Sequence, residues 1–506
     1  MILSQALNTA AMKNANAPVI LDLGKTISYV EWKKRVGQLS YLYQAEIGHE
    51  NRVAFLSQNT PAVLLTFLAL SNTGNISFFL DPKDSDEDMV KYLKELEINH
   101  MAVGASMLAR VNNLIRAHSL AINVIEIEKK KGGEYDPSYS PPPDRPLKET
   151  NIVLAVRQEE FGEPTKYIYF NHKQIYLAST AIRRSYHLLA NDRIFTSLNW
   201  SHPFALIHSA LMPMFYGCSI AIDPEFATIE EFVEYLATNH ITRFVGTPKY
   251  FFQLLAICKS TKYMLPGVKS ITVGLGTLST NLRKTFALLK IPAIHAFGTP
   301  ESVWTYAMED TERLNPGRIT PYALPGVKYK VLNDAGDEIP GPAFREGPFA
   351  FMADFVMTQF FHPDKKIAEK ATRNALRGTW FYSGLVARLE GEEEESQVMP
   401  LGRQNCALRV DKRYVFPDRI DECVSAMTGV IEAAGFVYVN SKDEEFFACA
   451  VVQEGKALAE EAILAHCSSH LQGTEPPRKV FFVDSLPKDR FESIDRVALK
   501  RQYSER

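Results

Sequence analysis

Short apolar runs alternate with amphipathic stretches through the first half of the chain. Predicted strands at Arg52 to Ser57 and Asn75 to Leu80 flank a predicted helix at Pro61 to Ser71, and Ile122 to Ile127 ends another such unit. Further predicted strands follow at Arg193 to Leu198, Ser219 to Ile222, Arg243 to Val245, Ser270 to Val273 and Ala293 to Ala296. Strands that alternate with helices are typical of a mainly parallel sheet covered by helices. The pattern therefore predicts an α/β fold with two layered α/β subdomains.

The pattern changes near residue 327. Lys328 to Asn333 and the turn residues that follow, Asp334 to Asp337, predict a β-hairpin. Near the end of the chain, a predicted helix at Lys456 to His470 and a predicted strand at Lys479 to Val483 indicate a compact α+β segment. We therefore expect an N-terminal domain over residues 1–400, of which about 327–400 form a small β-rich subdomain, and a small mobile α+β domain over residues 401–506.

Composition narrows the possible partners of the protein. The 506 residues carry a net charge of -3, and phosphate backbones are bound through concentrated Lys and Arg, so we expect no nucleic-acid partner. The longest apolar stretch, Ala62 to Leu70, is far shorter than the ~20 residues that cross a bilayer, and the first residues lack a secretory signal. We expect a cytoplasmic protein without a membrane partner. The six cysteines form no C-x-x-C pair, which favours reduced, packed thiols.

Five passages of the chain resemble, in order, the motifs of one enzyme family. They are Ile27 to Trp32 (family T-Y-x-E-L), Arg52 to Pro82 (first strand, helix and strand), Ala296 to Glu301 (Y-G-x-T-E), Trp380 to Leu389 with Leu401 to Arg403 (W-F-R-T-G-D-L-A-R-L and the G-R hinge), and Leu486 to Lys488 with Ile494 to Arg496 (both ends of L-P-K-T-x-S-G-K-I-x-R). The chain thus resembles the adenylate-forming, or AMP-binding, superfamily of acyl-CoA synthetases, aryl acid ligases and peptide-synthetase adenylation domains. The resemblance implies that a carboxylate attacks the α-phosphate of ATP, and that a thiol of CoA or of a carrier protein then captures the acyl-adenylate.

The stretch that matches the family's phosphate loop departs from it. Where the family has T-S-G-T-T-G-x-P-K-G, this chain has Arg157 to Lys166, with carboxylates at Glu159, Glu160 and Glu163. Small residues let backbone N–H groups approach phosphate closely, whereas carboxylates repel it. We expect a surface loop without a phosphate role. A working phosphate loop would need the two cations at the ends of this stretch, Arg157 and Lys166, to bind the phosphates instead.

Two further positions depart from the family. Its ribose-binding aspartate falls on Leu385, which cannot accept hydrogen bonds from two hydroxyls, and its catalytic lysine falls on Ser493, which carries no positive charge. A rescue would need a nearby cation such as Lys488, Arg490 or Arg496. Arg403 keeps the hinge arginine, which the resemblance assigns to the nucleotide but which could equally be a structural ion-pair partner.

Part of the family's site is retained. The resemblance implies that Phe297 and Gly298 form the wall against adenine and that Glu301 helps to bind magnesium. For the acyl pocket it implies His202, Phe204, Gly274, Gly276, Thr277 and Ala296. A histidine beside apolar residues is more often packed than catalytic, so we expect a gate or packing role for His202, with acid–base chemistry second. Pro203 to Leu206 offers no carboxylate for an α-ammonium group, which favours a substrate with an uncharged acyl or aryl group.

Three hypotheses for the function follow. The first is a divergent ligase-like protein, impaired in adenylation, that retains an acyl pocket and acts as a binding or partner subunit for an acyl carrier protein or an active paralogue. The second is an active AMP-forming carboxylate–CoA or carrier-protein ligase, which would use ATP, magnesium and CoA or phosphopantetheine. The third is an ATP-independent acyl transferase or hydrolase with His202 or Ser493 as candidates. Loss of the loop, the ribose acid and the lysine together favours the first, because these groups act on one transition state.

Overall fold

The computed structural model describes residues 1–22, 24–129, 146–159, 163–224, 226, 228–261, 265, 267–276, 278, 280–310, 321–341, 344–391, 397–455, 458–471, 475–488 and 494–505. The chain divides into two compact units. Unit 1 comprises Met1–Gln158, Thr165–Val327 and Ala353–Arg373, and unit 2 comprises Glu159–Pro164, Lys328–Met352 and Asn374–Arg506. The domain boundary that the sequence suggests at residue 400 stays a prediction.

The strands are numbered along the chain. They are β1 Pro18–Asp22, β2 Lys25–Ser28, β3 Arg52–Leu56, β4 Ile76–Phe79, β5 His100–Val103, β6 Asn123–Glu126, β7 Ile152–Gln158, β8 Lys166–Asn171, β9 Arg193–Thr196, β10 Ser219–Ala221, β11 Arg243–Gly246, β12 Ser270–Val273, β13 Ala293–Phe297, β14 Ala307–Asp310, β15 Tyr322–Ala323, β16 Lys328–Val331, β17 Arg345–Met352, β18 Phe360–Phe361, β19 Leu376–Arg377, β20 Trp380–Glu390, β21 Gln397–Arg403, β22 Leu408–Val410, β23 Arg413–Val415, β24 Val430–Val439, β25 Glu445–Gln453 and β26 Lys479–Phe482.

The helices are numbered in the same way. They are α1 Leu3–Lys13, α2 Tyr29–Glu46, α3 Pro61–Asn72, α4 Asp86–Glu95, α5 Leu108–His118, α6 His172–Tyr186, α7 Pro203–Ala205, α8 Met212–Phe215, α9 Ile229–Thr238, α10 Pro248–Thr261, α11 Thr280–Leu289, α12 Lys365–Ala375, α13 Asp418–Ser425, α14 Glu460–His470 and α15 Arg496–Tyr503. A π-helical segment, Leu206–Leu211, joins α7 to α8. Short 3-10 turns lie at Ala105–Met107, Pro300–Ser302 and Gln404–Cys406.

The first sheet of unit 1 has the strand order β18-β8-β7-β4-β3-β5-β6. Strands β7, β4, β3, β5 and β6 run parallel, and β8 and β18 add antiparallel strands at one edge. The predicted strand–helix–strand unit is confirmed, because α3 connects β3 to β4. Helix α3 begins with Pro61, whose fixed φ suits a first helical turn, and its residues 63–71 are all buried. The apolar run that is too short for a bilayer is therefore a buried crossover helix.

The second sheet of unit 1 has the strand order β15-β14-β13-β12-β11-β9-β10-β1-β2. Neighbours from β13 to β1 are parallel, while β14, β15 and β2 are antiparallel. Aromatic rings in successive edge-to-face contacts fill one face, at Phe195, Phe244, Phe251 and Phe286. The carboxyl ends of parallel strands meet at one edge of a sheet, so the turns after β9, β12 and β13 lie along that edge. These turns carry most of the predicted site residues.

Unit 2 contains an antiparallel sheet with the order β16-β17-β20-β21, the hairpin β22-β23, and a sheet with the order β24-β25-β26. The predicted hairpin is confirmed, since Leu332 pairs with Glu338 across the turn. The sheet β24-β25-β26 has a core on each face, with Phe447 and Ile463 in one core and Phe436 and Leu499 in the other. The predicted α+β character of this segment is confirmed by α14 and β26.

The chain therefore has the mixed α/β fold that the sequence predicts, with parallel sheets in unit 1 and antiparallel sheets prevailing in unit 2. Within the described ranges, no helix combines the length and apolar character that crossing a membrane requires.

Candidate functional site

Arg157 lies in the core of unit 1. It stands near the end of β7, and only 3% of its side chain is exposed. Its two terminal guanidinium nitrogens donate to the two carboxylate oxygens of Asp84, over distances of 2.6 and 2.7 Å. The guanidinium also lies over the ring of Tyr92, 4.8 Å from the centroid. Because a two-point ion pair fixes both partners, Arg157 is committed to Asp84. The other end of the stretch, Lys166, places its Nζ 5.6 Å from the ring centroid of Phe360.

Leu385 lies in β20 of unit 2, where the family has its ribose-binding aspartate. Gly384 before it adopts a φ of +69°, and the Leu385 backbone N–H donates to the Ser383 hydroxyl at 3.2 Å. Its cross-strand partner in β21 is Arg403. The Leu385 side chain is half-buried and is hydrocarbon only, so it cannot accept a hydrogen bond. Whether Arg403 contacts a nucleotide stays a prediction.

Cations near the family's lysine position are held by carboxylates of unit 2. Ser493 itself and Arg490 lie outside the described residues. Lys488 Nζ donates to Glu432 at 2.5 Å. Arg496 is largely buried and pairs with Asp421 at 2.6 Å, with a second contact to Asp418 at 3.1 Å. Arg496 also donates to the Gly435 carbonyl at 2.6 Å, so it joins α15 to β24 and α13.

The turn after β12 carries the predicted pocket glycines. Gly274 lies against the Phe204 ring so closely that a Cβ atom on residue 274 would stand 2.4 Å from the ring's Cζ. Phe204 is 1% exposed and stacks at 4.4 Å on His208. Gly276 has a φ of +148°, a conformation that side chains rarely adopt. Thr277 lies outside the described residues. Glycines at 274 and 276 are thus required by close packing and by backbone conformation.

The turn after β13 brings a second set of predicted residues together. Ala296 and Phe297 end the strand, and at Gly298 a Cβ atom would stand 1.8 Å from the Trp304 carbonyl oxygen. Backbone from residues 302–305 therefore occupies the space that a side chain at 298 would need. Glu301 is buried in the 3-10 turn, and its carbonyl accepts from the Met357 amide at 2.9 Å.

His202 packs against this turn. Its ring lies against that of Trp304, with centroids 4.4 Å apart and planes tilted by 52°, and its Nδ1 accepts a hydrogen bond from the Phe204 amide at 3.0 Å. His202 is thereby the N-terminal cap of α7. These contacts give His202 a structural role, and the expected gate or acid–base roles stay predictions.

His208 lies beneath this layer, inside the π-helical segment. Its Nδ1 is 2.8 Å from the Tyr186 hydroxyl and its Nε2 is 2.7 Å from the Thr305 hydroxyl. Full burial lowers the pKa of His208 to about 3, and burial likewise lowers the pKa of His172 to about 4. Both rings are therefore neutral in the folded protein at any pH near 7.

Acidification from pH 6.5 to pH 5 should reduce the free energy of unfolding by roughly 2 kcal/mol for each of these two histidines. The folded state binds fewer protons than the unfolded chain, whose histidines titrate near 6.5, so the stability is complete above that pH and is lost as pH falls toward the folded pKa values. Urea unfolding at pH 7.5, 6 and 5 measures the slope. His208→Gln should flatten it, whereas His118→Gln, at an exposed position, should leave it unchanged. An unaltered slope in His208→Gln would contradict the prediction.

Several residues of the site were not found by sequence reasoning. The missed residues lie around the turns after β12 and β13, and they are Trp304, His208, His295, Glu309 and Arg283. Trp304 follows Glu301 by three positions, an aromatic signal that could have been noticed. The partners of the other residues depend on strand register and on contacts between distant segments.

Metal ligands are a separate question. In the part of the chain that the structure describes, histidine, cysteine, aspartate and glutamate side chains form no group of three or more arranged to hold a metal ion. Magnesium binding by Glu301 stays a prediction.

Comparison with known proteins assigns the chain to a family. The family model described as AMP-binding enzyme matches residues 7–155 and 164–348. The chain is 22% identical over 347 residues to a 3-hydroxybenzoate–CoA/4-hydroxybenzoate–CoA ligase of Thauera aromatica, covering 67% of this chain and 64% of that relative. It is 22% identical over 492 residues to a 2-succinylbenzoate–CoA ligase of Listeria monocytogenes, covering 95% of each chain.

A solved structure supports the same fold. ATP-bound MatB from Rhodopseudomonas palustris superposes with a TM-score of 0.82 at 19% identity, over 100% of this chain and 99% of that one. The family match extends over more than half of the chain and includes most of both sheets of unit 1. The chain therefore belongs to the family of AMP-binding enzymes, and it is an acyl- or aryl-acid CoA ligase-like protein.

Proposed function

We propose that the protein is impaired in ATP-dependent adenylation, retains an acyl pocket, and acts as a binding or partner subunit in acyl or carrier-protein metabolism. One observation carries the proposal. Three described cations near the family's lost phosphate-binding positions are held by carboxylates of the same unit, Arg157 by Asp84, Lys488 by Glu432 and Arg496 by Asp421, and a fourth, Lys166, lies over the Phe360 ring.

The reason for impaired adenylation is electrostatic. Adenylation needs positive charge and donors aimed at the phosphates before the reaction begins. Moving Arg157 to a phosphate would leave Asp84 charged and largely buried, and breaking a buried pair costs about 3–5 kcal/mol. Leu385 adds a second defect, because ribose hydroxyls placed against it lose about 1–3 kcal/mol each. ATP therefore does not fit the described residues.

The substrate side supports a ligand with an uncharged acyl or aryl group. The named relatives act on hydroxybenzoates and 2-succinylbenzoate. In this chain, His202, Phe204 and Trp304 bring aromatic surface to the turn after β13. We propose an aryl carboxylate or its thioester as ligand, in the cytoplasm, with an acyl carrier protein or an active paralogue as partner.

An active ligase is the alternative that a specific observation favours. Glu301 is retained, and the match to the Listeria ligase runs over 95% of both chains. An active ligase would have to bind ATP although Leu385 replaces the family's ribose-binding aspartate and nearby cations are paired with carboxylates. The ATP-independent transferase or hydrolase has less support, because His202 Nδ1 already accepts the Phe204 amide.

ATP with magnesium should leave the melting temperature unchanged up to about 10 mM. A ligand at roughly 100 times its Kd stabilises by ~2.7 kcal/mol, which a thermal-shift measurement detects readily. The same titration with benzoate tests the ligand side, and a working ligase of the family serves as positive control. Benzoate should raise the melting temperature saturably. A saturable rise with ATP would overturn the proposal in favour of the active ligase.

A further inference from the structure

A buried polar cluster lies behind the predicted pocket turn. Glu309 in β14 is 0% exposed, and its two carboxylate oxygens receive the two terminal nitrogens of Arg283 at 3.0 and 2.5 Å. Directly opposite Glu309, on β13, stands His295. The His295 Nδ1 is 3.8 Å from a Glu309 oxygen, and 2% of the His295 side chain is exposed. None of these residues belongs to the five passages that resemble the family's motifs.

The other ring nitrogen of His295 reaches the pocket turn. His295 Nε2 lies 2.9 Å from the Gly276 carbonyl oxygen and donates to it, since a carbonyl only accepts. Gly276 has a φ of +148°. Pro248 packs closely against the position that a Cβ atom on residue 276 would occupy. The Gly274 amide, two residues earlier, donates to the Gly246 carbonyl at 3.2 Å.

The same ring also touches the predicted nucleotide wall. His295 and Phe297 have ring centroids 4.0 Å apart, on alternate positions of β13. One imidazole thus contacts Gly276, from the predicted acyl wall, and Phe297, from the predicted adenine wall. Both contacts lie within unit 1.

Energetics favour a positioning role for this cluster over a purely stabilising one. Desolvating an ion pair offsets much of its attraction, so apolar residues of similar volume would give about the same stability. What apolar residues cannot do is hold a donor toward the Gly276 carbonyl. The buried imidazole of His295, packed between Glu309 and Phe297, presents that donor from a confined position.

We propose that His295 is a positioning residue that fixes the Gly276 carbonyl and thereby the turn lining the acyl pocket. This inference rests on the proposed function for the identity of the pocket, although the positioning itself does not depend on it. His295 ties the conformation of the acyl wall to that of Phe297.

Amide hydrogen exchange of the purified full chain tests the positioning directly. His295→Ala should speed exchange at the amides of residues 274–276 about tenfold relative to the strands of unit 1, since one buried hydrogen bond is lost. His295→Gln, which keeps a donor, should recover most of the protection.

A matched control separates local from general effects. Asp192 is 1% exposed and pairs with Arg243 at 2.7 Å, at the amino-terminal ends of β9 and β11 in the same sheet. Arg243 also donates to the Ser270 hydroxyl at 3.1 Å, so Asp192→Asn should speed exchange at the amino-terminal end of β12 without a selective increase at residues 274–276. If His295→Ala and Asp192→Asn give the same exchange profile, His295 has no specific hold on the turn and the inference is wrong.

Benzoate titration of the same variants tests the consequence for binding. His295→Ala should weaken benzoate binding about tenfold while His295→Gln and Asp192→Asn stay within about threefold. If the unmodified protein fails to bind benzoate, the proposed pocket is refuted while the exchange result still decides the positioning role. Equal benzoate affinity in His295→Ala and the unmodified protein would refute the link between the turn and the pocket.

Discussion

Arg157→Met should lower the free energy of unfolding by about 3–5 kcal/mol, the largest single-residue effect that we expect on stability. The substitution keeps most of the side-chain volume but leaves the Asp84 carboxylate, which is 11% exposed, without its guanidinium partner. Urea unfolding at pH 7.5 measures the loss. A double-mutant cycle with Asp84→Asn should show that the two changes together cost less than the sum of the single changes, because the stranded charge is removed.

An exposed pair provides the control. Arg373 and Glu369 lie 3.8 Å apart on α12, with 72% and 65% of their side chains exposed. Arg373→Met should change stability by less than about 0.5 kcal/mol, since water already solvates both charges. If Arg157→Met is equally mild, Arg157 is not committed to Asp84 and is available to a phosphate, which would remove the main support for impaired adenylation.

Pyrophosphate exchange into ATP should appear only when several lost groups are restored together. The combined variant carries Glu159→Gly, Glu160→Thr, Phe161→Thr, Leu385→Asp and Ser493→Lys, with Arg157 left in place for stability. Its carboxylate-dependent exchange should exceed the sum of the partial variants, because the loop, the ribose acid and the lysine act on one transition state. A correctly placed electrostatic group contributes about 10²- to 10³-fold in rate.

Charge at position 493 has its own control. The combined variant with Ser493→Gln in place of Ser493→Lys should be about 100-fold slower, since glutamine restores length without charge. Ser493→Lys alone should give no exchange. Exchange with that single change would mean that the nucleotide still binds, and exchange in the unmodified protein would favour the active ligase.

Local signals in the sequence were enough for much of the fold. The alternation of apolar runs with amphipathic stretches located β3, α3 and β4 to within a residue or two at most ends, and Ser270–Val273 was predicted with the bounds that it has. Parallel strands need a crossover helix, so the order of elements largely determined the sheet class. Ala353–Arg373 was not predicted to belong with unit 1, because the pairing of β18 with β8 joins segments far apart in sequence.

The site was less accessible to sequence reasoning. Motif alignment located Leu385, Gly298 and Glu301, but it could not assign partners to charged residues. Arg157 looked like a spare cation because its partner Asp84 lies 73 residues earlier. The contact of His295 with Glu309 depends on the antiparallel register of β13 and β14, which no local pattern specifies.

The Arg157–Asp84 pair also constrains how this chain could change over evolutionary time. A change of residue 157 to the threonine of the family motif should destabilise the fold by itself, because it leaves the carboxylate of Asp84 in the core without its partner before any phosphate site exists. Replacing Asp84 first has the mirror-image defect. Each change is therefore expected to be unfavourable alone and tolerated in the background of the other, so this epistasis makes a single-step path to the family's loop unfavourable.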